Sequence, residues 1–207
     1  MGTPTEVLRV LQYDGIVIVP TETVYGLATR ADRPESVQRL YDIKGREFKK
    51  PLALCVSGLG MAKHYGKFSR IAQNMAKKHW PGPLTLVVPA AEPDFFNQLA
   101  PQMYGTNEKG DPTIAMRCPD ISWRENVRAN GHPYPVALTS ANRSGDPDPK
   151  TASDAIKAVG LDVDDVWMGP ACEDGLPSTI VTLAEDTPRI LREGALPRKA
   201  LKRWKVT

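Results

Sequence analysis

Apolar and polar positions change spacing several times along the chain, and each change marks an expected element. Val7, Leu8 and Leu11 recur at helical spacing within residues 5–12, Asp14-Gly15 interrupts them, and an unbroken apolar run fills 16–19. This predicts helix, turn and buried strand. Residues 34–43 repeat the helical pattern through Val37, Leu40, Tyr41 and Ile43, residues 52–56 read as a second strand, and helical spacing returns near 58–65 and 69–79. A third strand covers 84–88. The stretch 89–112 is rich in Pro, Gly, Asn and Gln and reads as loops, with a short helix around 95–99. Residues 113–117 alternate as a strand does. Ser122 to Glu125 has capping-box spacing and opens a helix to about residue 130, and Thr151 to Asp154 opens another. Strands at 136–139, 178–183 and 189–191 complete the set.

Strands interleaved with helices predict an α/β fold. The last two strands are joined only through residues 184–188, too short for a parallel crossover, so the sheet is expected to be mixed. Neither an internal repeat nor a low-complexity linker interrupts the chain, and 207 residues suit one core, so residues 1–207 are expected to form a single domain.

Composition narrows the class. Hydrophobic residues at 41% and charged residues at 25% suit a globular protein. Neither a membrane-length apolar run nor a secretory leader is present, so a cytoplasmic chain without membrane association is expected. Cys55, Cys118 and Cys172 lack C-x-x-C spacing, and His64, His79 and His132 lack ligand spacing, so reduced thiols and no metal site are predicted. The net charge of +3 is unevenly spread: residues 146–186 hold ten acids against two bases, and 187–207 hold seven bases against one acid. The basic tail 195–207 reads as a solvated helix end, while Trp204 beside Lys202, Arg203 and Lys205 leaves an RNA contact open.

Five segments carry candidate chemistry, and each has a plainer reading. Residues 20–27, P-T-E-T-V-Y-G-L, follow a buried strand, where α/β proteins place ligands; alone they are an ordinary hydroxyl-rich turn. Lys44-Gly45-Arg46, followed by Lys49-Lys50-Pro51, puts cations suited to a triphosphate on one turn, which by itself is more often a solvated surface. Arg117 ends the strand Thr113-Ile-Ala-Met-Arg117 and needs an anionic partner if buried; a substrate carboxylate, Asp120 or another core acid would each serve. Thr139-Ser140-Ala-Asn142-Arg-Ser-Gly145 could form an anion-binding nest or merely cap local amides. Ser178 and Arg192 stand at the ends of the two late strands, in a common cleft or on a sheet rim. Neither the G-x-x-x-x-G-K-S/T phosphate loop nor a G-x-S-x-G nucleophile elbow occurs.

Taken together and in order, P-T-E-T-V-Y-G-L, K-G-R with a following P-L, W-P-G-P-L-T-L at 80–86, T-I-A-M-R, T-S-A-N-R-S-G, S-T-I-V and L-R-E-G resemble the YrdC-like family of threonylcarbamoyl-AMP synthases over residues 16–194. The resemblance implies a twisted mixed α/β sheet with helices around a basic cavity, in the short single-domain form with 195–207 as a basic tail. It implies synthesis of L-threonylcarbamoyladenylate and pyrophosphate from L-threonine, bicarbonate and ATP, for modification of adenosine 37 in tRNA. Magnesium would accompany ATP, downstream proteins would transfer the threonylcarbamoyl group, and contact with tRNA or double-stranded RNA is open.

By the same resemblance Lys44 and Arg46 would be catalytic. Arg46, Lys50, Thr113, Asn142 and Arg192 would face ATP, and Thr23, Cys55, Arg117, Ser140 and Ser178 would face threonine. Cys55 stands where many members carry His, Lys50 where Asn is frequent, and Glu47 where Pro is common. A YciO-like or carbamoyl-AMP-forming paralogue, and a non-catalytic RNA-binding module, remain as alternatives.

Overall fold

The computed structural model describes residues 3–92, 98–121 and 134–207. Among them α1 (Pro4–Gln12) opens on a capping box: Thr3 Oγ1 accepts from the Glu6 amide while the Glu6 carboxylate accepts from the Thr3 amide. The strands β1 (Val17–Val19) and β2 (Gly26–Arg30) follow, then α2 (Pro34–Lys44), β3 (Ala53–Cys55), α3 (Leu59–Tyr65) and α4 (Arg70–His79). Next come β4 (Leu84–Pro89), β5 (Tyr104–Thr106), β6 (Pro112–Arg117), β7 (Val136–Ser140), α5 (Ala152–Val159), β8 (Asp165–Val166), β9 (Thr179–Thr182) and β10 (Arg189–Arg192).

The strands form one mixed sheet in the order β10-β9-β4-β6-β3-β7-β2-β1-β8, with β5 added against β6. β3 lies parallel to β6, β4 parallel to β9 and β1 parallel to β8, and the other pairings are antiparallel, including the late pair β9 and β10. β1 is buried on both faces, which explains its unbroken apolar run. Ile16 and Ile18 pack with Val37, Leu40, Tyr41 and Met75, while Val17 and Val19 join Val7, Leu8 and Leu11 of α1 on the other side.

Three strands lie where the pattern predicts none. β2 sits inside the polar G-L-A-T-R stretch, β5 within the loop-rich 89–112 segment, and β8 is two residues long. Each is recruited by a neighbour's open edge rather than by its own alternation. The expected helix at 122–130 and most of that at 95–99 lie outside the described residues. The tail also differs from a solvated helix end. Arg198–Trp204 is a 3-10 helix with Leu201 and Trp204 buried, and the Trp204 ring is flanked by His79 and by the Arg203 guanidinium 4.3 Å from its centroid. That ring is not free to stack on a base.

Candidate active site

Strand register builds the cleft. A single cross-strand row runs Cys55–Arg117–Thr85–Ile180–Arg192 from β3 to β10, and all five side chains line one cavity. Beside this row lie Leu138, Ala53 and Ala115, themselves paired across β7, β3 and β6, and Gly26 opposite Ser140. Gly26, Ala53 and Ala115 make a floor with little side-chain volume. Polar and cationic groups stand around that floor.

Arg46 reaches the cleft because α2 stops at Gly45, whose φ of +56° is left-handed and turns the chain back at once. Gly45 thus serves as the helix cap. Arg46 is held by its Nε donating to the Lys50 carbonyl at 2.8 Å and Nη2 to the Pro51 carbonyl at 3.2 Å. Arg192 stands at the exposed rim, its Nη2 and Nε donating to the Ser178 carbonyl at 2.8 and 3.1 Å, and the Ser178 hydroxyl lies 2.8 Å from that of Thr85. Arg117 is buried, with Nε donating to the Gly82 carbonyl at 3.4 Å and Nη2 lying 2.7 Å from Glu22 Oε1. Gly82 sits at φ +152°, and a Cβ there would stand 2.8 Å from the His79 carbonyl oxygen.

The electrostatics follow from this crowding. Partial burial lowers the pKa of Arg46, and Arg192 is lowered by burial and further by Arg117 and Arg46, while Asp148 opposes. Guanidiniums that repel one another in a half-buried cleft make a field suited to an anion. Lys44 lies beneath, with Nζ donating to the Ser140 carbonyl at 2.6 Å and to the Asn142 carbonyl and Oδ1 at 2.7 and 3.0 Å. Burial, reinforced by Arg46, lowers its pKa to about 8. The Ser140 hydroxyl donates to Asn142 Oδ1 at 2.6 Å, so Lys44, Ser140 and Asn142 form one network.

The fold thus brings Arg46, Cys55, Arg117, Ser140, Ser178 and Arg192 into one lining, with Lys44 and Asn142 directly behind Ser140. Thr23 is buried and bonds the Thr21 hydroxyl at 2.9 Å, and it is Thr21 that lines the cavity. Thr113 shares the face of Arg117 but lies four residues along β6, about 13 Å away at strand spacing. Lys50 is exposed and pairs with Glu47 at 3.1 Å. Thr21 and Glu22 lie in the P-T-E-T-V-Y-G-L motif and Thr85 in W-P-G-P-L-T-L, but none of the three was assigned a site role from the sequence. Arg117's acid is Glu22, from the P-T-E-T turn, and not Asp120; only the fold pairs positions so far apart.

No group of three or more His, Cys, Asp or Glu able to hold a metal is found among the described residues, and no helix among them is long and apolar enough to cross a membrane.

The Sua5/YciO/YrdC family model, described as "Telomere recombination", matches residues 9–194. The threonylcarbamoyl-AMP synthase of Bacillus subtilis is 31% identical over 193 residues, covering 92% of this chain and 53% of that protein. A Methanocaldococcus jannaschii protein is 32% identical over 188 residues, covering 91% of this chain and 84% of its own. Among solved structures, Pyrococcus abyssi Sua5 in complex with L-threonine superposes with a TM-score of 0.85 at 29% identity, over 97% of this chain and 56% of that one. The chain therefore spans about half the length of the Bacillus and Pyrococcus relatives. With a family model covering most of the sequence and the same fold in a solved relative, the chain belongs to the Sua5/YciO/YrdC family.

Proposed function

We propose that the chain is an L-threonylcarbamoyladenylate synthase, a nucleotidyltransferase that converts L-threonine, bicarbonate and ATP to threonylcarbamoyl-AMP and pyrophosphate. The adenylate would then supply proteins that modify adenosine 37 of tRNA. One observation carries this reading: Arg46, Arg117 and Arg192 line a single cleft floored by Gly26, Ala53 and Ala115. Joining a carboxylate to a nucleoside triphosphate with loss of pyrophosphate places several anions together, and such a cleft meets that demand.

In the mechanism, the threonine amine nitrogen first bonds the bicarbonate carbon, a C–O bond of the bicarbonate breaks, and its oxygen leaves as water with a proton from the amine, giving a carbamate. A carbamate oxygen then attacks the α-phosphorus, the bond to the bridging oxygen breaks, and pyrophosphate leaves. Arg117 takes the threonine carboxylate as a planar fork, with Ser140 and Ser178 hydroxyls beside it and Cys55 at the wall. Thr23 supports this end through Thr21. Arg46, Arg192 and Lys44 neutralise the triphosphate, Asn142 orders Ser140 and Lys44, Lys50 adds charge at the mouth, and Thr113 extends the nucleotide side. Positioning and fixed positive charge supply the rate, without a covalent enzyme intermediate. Magnesium bound by phosphate oxygens needs only one or two protein carboxylates, and half-buried Asp148, which interacts with Lys44 and Arg192, suits that role; the ion would offset phosphate charge.

The test is pyrophosphate release by the purified protein. Release should depend on threonine and on bicarbonate, and Arg46→Ala should lose at least tenfold. Release indifferent to threonine, or a fully active Arg46→Ala, rejects the reading.

A further inference from the structure

The pairing of Arg117 with Glu22 is a single contact between buried side chains, unlike the two forked arginine pairs of the fold and unlike the single-contact pairs of Arg33, Arg143 and Arg189, which are exposed. Arg30 grips Asp32 through two aligned bonds at 3.0 and 2.6 Å, and Arg39 grips Asp164 through two at 2.6 and 2.9 Å. Those are structural forks. Arg117 touches Glu22 only through Nη2 and Oε1, 2.7 Å apart, with side chains 9% and 13% exposed. Yet among the described residues neither Glu22 oxygen, nor Arg117 Nη2, has an aligned hydrogen-bond partner. A buried ion pair is normally retained only when its remaining donors and acceptors are satisfied.

The neighbours do not fill the gap. The Thr21 hydroxyl donates to the Val24 carbonyl at 2.6 Å and accepts the Thr23 and Val24 amides, so it has no proton for Glu22. Asp174, Cys172 and Arg192 are the other titratable groups that interact with the pair: the Asp174 amide donates to the Glu22 carbonyl at 2.9 Å, burial raises the pKa of the Asp174 and Cys172 side chains, and Arg192 carries the same charge as Arg117. Only Glu22 stands within ion-pair distance of Arg117 among the described residues.

What lacks a partner is thus one guanidinium nitrogen of Arg117, which lines the cleft, and the buried Glu22 carboxylate in contact with it directly behind that lining. A ligand that satisfies both carries an anion and a hydrogen-bond-donating cation a bond or two apart, which is the zwitterion of an α-amino acid. Resting on the threonine reading of this cleft, we infer that Glu22 receives the α-ammonium of the amino-acid substrate while Arg117 holds its carboxylate, and that Glu22 is the base that takes the ammonium proton. An N–H bond breaks, its electron pair remains on nitrogen, and an O–H bond forms on Glu22; the proton passes later to water at the cleft mouth. The freed lone pair is what bonding to the bicarbonate carbon requires, since an ammonium nitrogen has none.

Glu22 then selects substrate as well. A 2-hydroxy acid matches threonine at Arg117 but offers Glu22 no cation. Calorimetric titration of the wild-type chain with L-threonine, and with the acid in which a hydroxyl replaces the amine, should show threonine binding tighter by at least about tenfold. In Glu22→Gln the two ligands should differ by no more than about threefold, whereas Asp174→Asn should keep the wild-type gap. Equal binding of the two ligands by the wild type overturns the inference without any variant, so a poorly folding Glu22→Gln does not shield it. A gap that persists undiminished in Glu22→Gln overturns it as well. Pyrophosphate release separates this inference from the synthase reading: undiminished threonine-dependent release by Glu22→Gln overturns Glu22 as the base and leaves the synthase standing. A wild type that shows the binding gap but no release supports Glu22 as the ammonium receptor and rejects adenylate formation.

Discussion

Replacing Lys44 by Met sets two effects of similar size against each other, and pH separates them. Lys44 is 2% exposed, and its ammonium donates to the Ser140 carbonyl, the Asn142 carbonyl and Asn142 Oδ1. The neutral amine against which the charge penalty is reckoned has two N–H donors, so at about 1 kcal/mol net for each bond the loss of its contacts costs about 2 kcal/mol. Against this stands the penalty of burying the charge, which lowers the lysine from 10.5 to about 8. At about 1.4 kcal/mol per pH unit that displacement is worth about 3 kcal/mol. Because the folded pKa lies below the unfolded one, the penalty is present in full below pH 8. Between about 8 and 10.5 the unfolded chain holds the proton and the folded chain does not, so wild-type stability rises with pH.

Methionine carries no proton and shows no such rise. Near pH 7 the variant should therefore be as stable as the wild type or slightly more so, and toward pH 10 it should be less stable by about 2 kcal/mol. Urea unfolding followed by far-UV circular dichroism at a series of pH values measures the difference, in which titrations common to both proteins cancel. A difference that stays flat or shrinks with rising pH would refute the reasoning.

Two other substitutions test single sets of contacts. Arg192→Ala removes the guanidinium at the cleft rim that holds the Ser178 carbonyl and faces the same cavity as Arg46, so ATP affinity measured by calorimetry should fall at least tenfold, with the urea midpoint moved little; unchanged affinity removes Arg192 from the nucleotide site. Arg30→Met abolishes the fork to Asp32, a 3.4 Å pair with Asp14 and a cation stacked 4.7 Å over the Tyr134 ring, far from the cleft. Stability should drop by about 1–3 kcal/mol with pyrophosphate release retained by the remaining folded protein, and an equally stable variant would show these contacts to be energetically idle.

Local pattern was enough to read much of the chain. The apolar run 16–19 could only be a strand buried on both faces, the spacing of Val37, Leu40 and Tyr41 required a helix, and the five-residue link before Arg189 excluded a parallel pairing. The motifs also named most of the cleft: Arg46, Arg117, Ser140, Ser178 and Arg192 were legible because each terminates or follows a recognisable element, and Cys55 came from the family resemblance alone. Local pattern could not supply register. That Cys55, Arg117, Thr85, Ile180 and Arg192 form one row is a property of which strands are neighbours, and the chain order of β3, β6, β4, β9 and β10 does not contain it. Thr85, part of the W-P-G-P-L-T-L motif, showed no site role in an apolar strand, and β2 reads as a polar turn until β7 and β1 offer edges on either side.

The sequence by itself determined the α/β alternation, the mixed character of the sheet and the set of cationic and hydroxyl groups, because helix spacing, strand alternation and loop length act over a few residues. Tertiary structure alone decided which of those groups meet. It buried Thr23 behind Thr21, left Lys50 on the surface with Glu47, set Thr113 down the strand from Arg117, and gave Arg117 the Glu22 carboxylate instead of Asp120. The physical reason is that side-chain pairing across a sheet depends on strand neighbours and register, which are settled by packing across the whole core and not by any short stretch of chain.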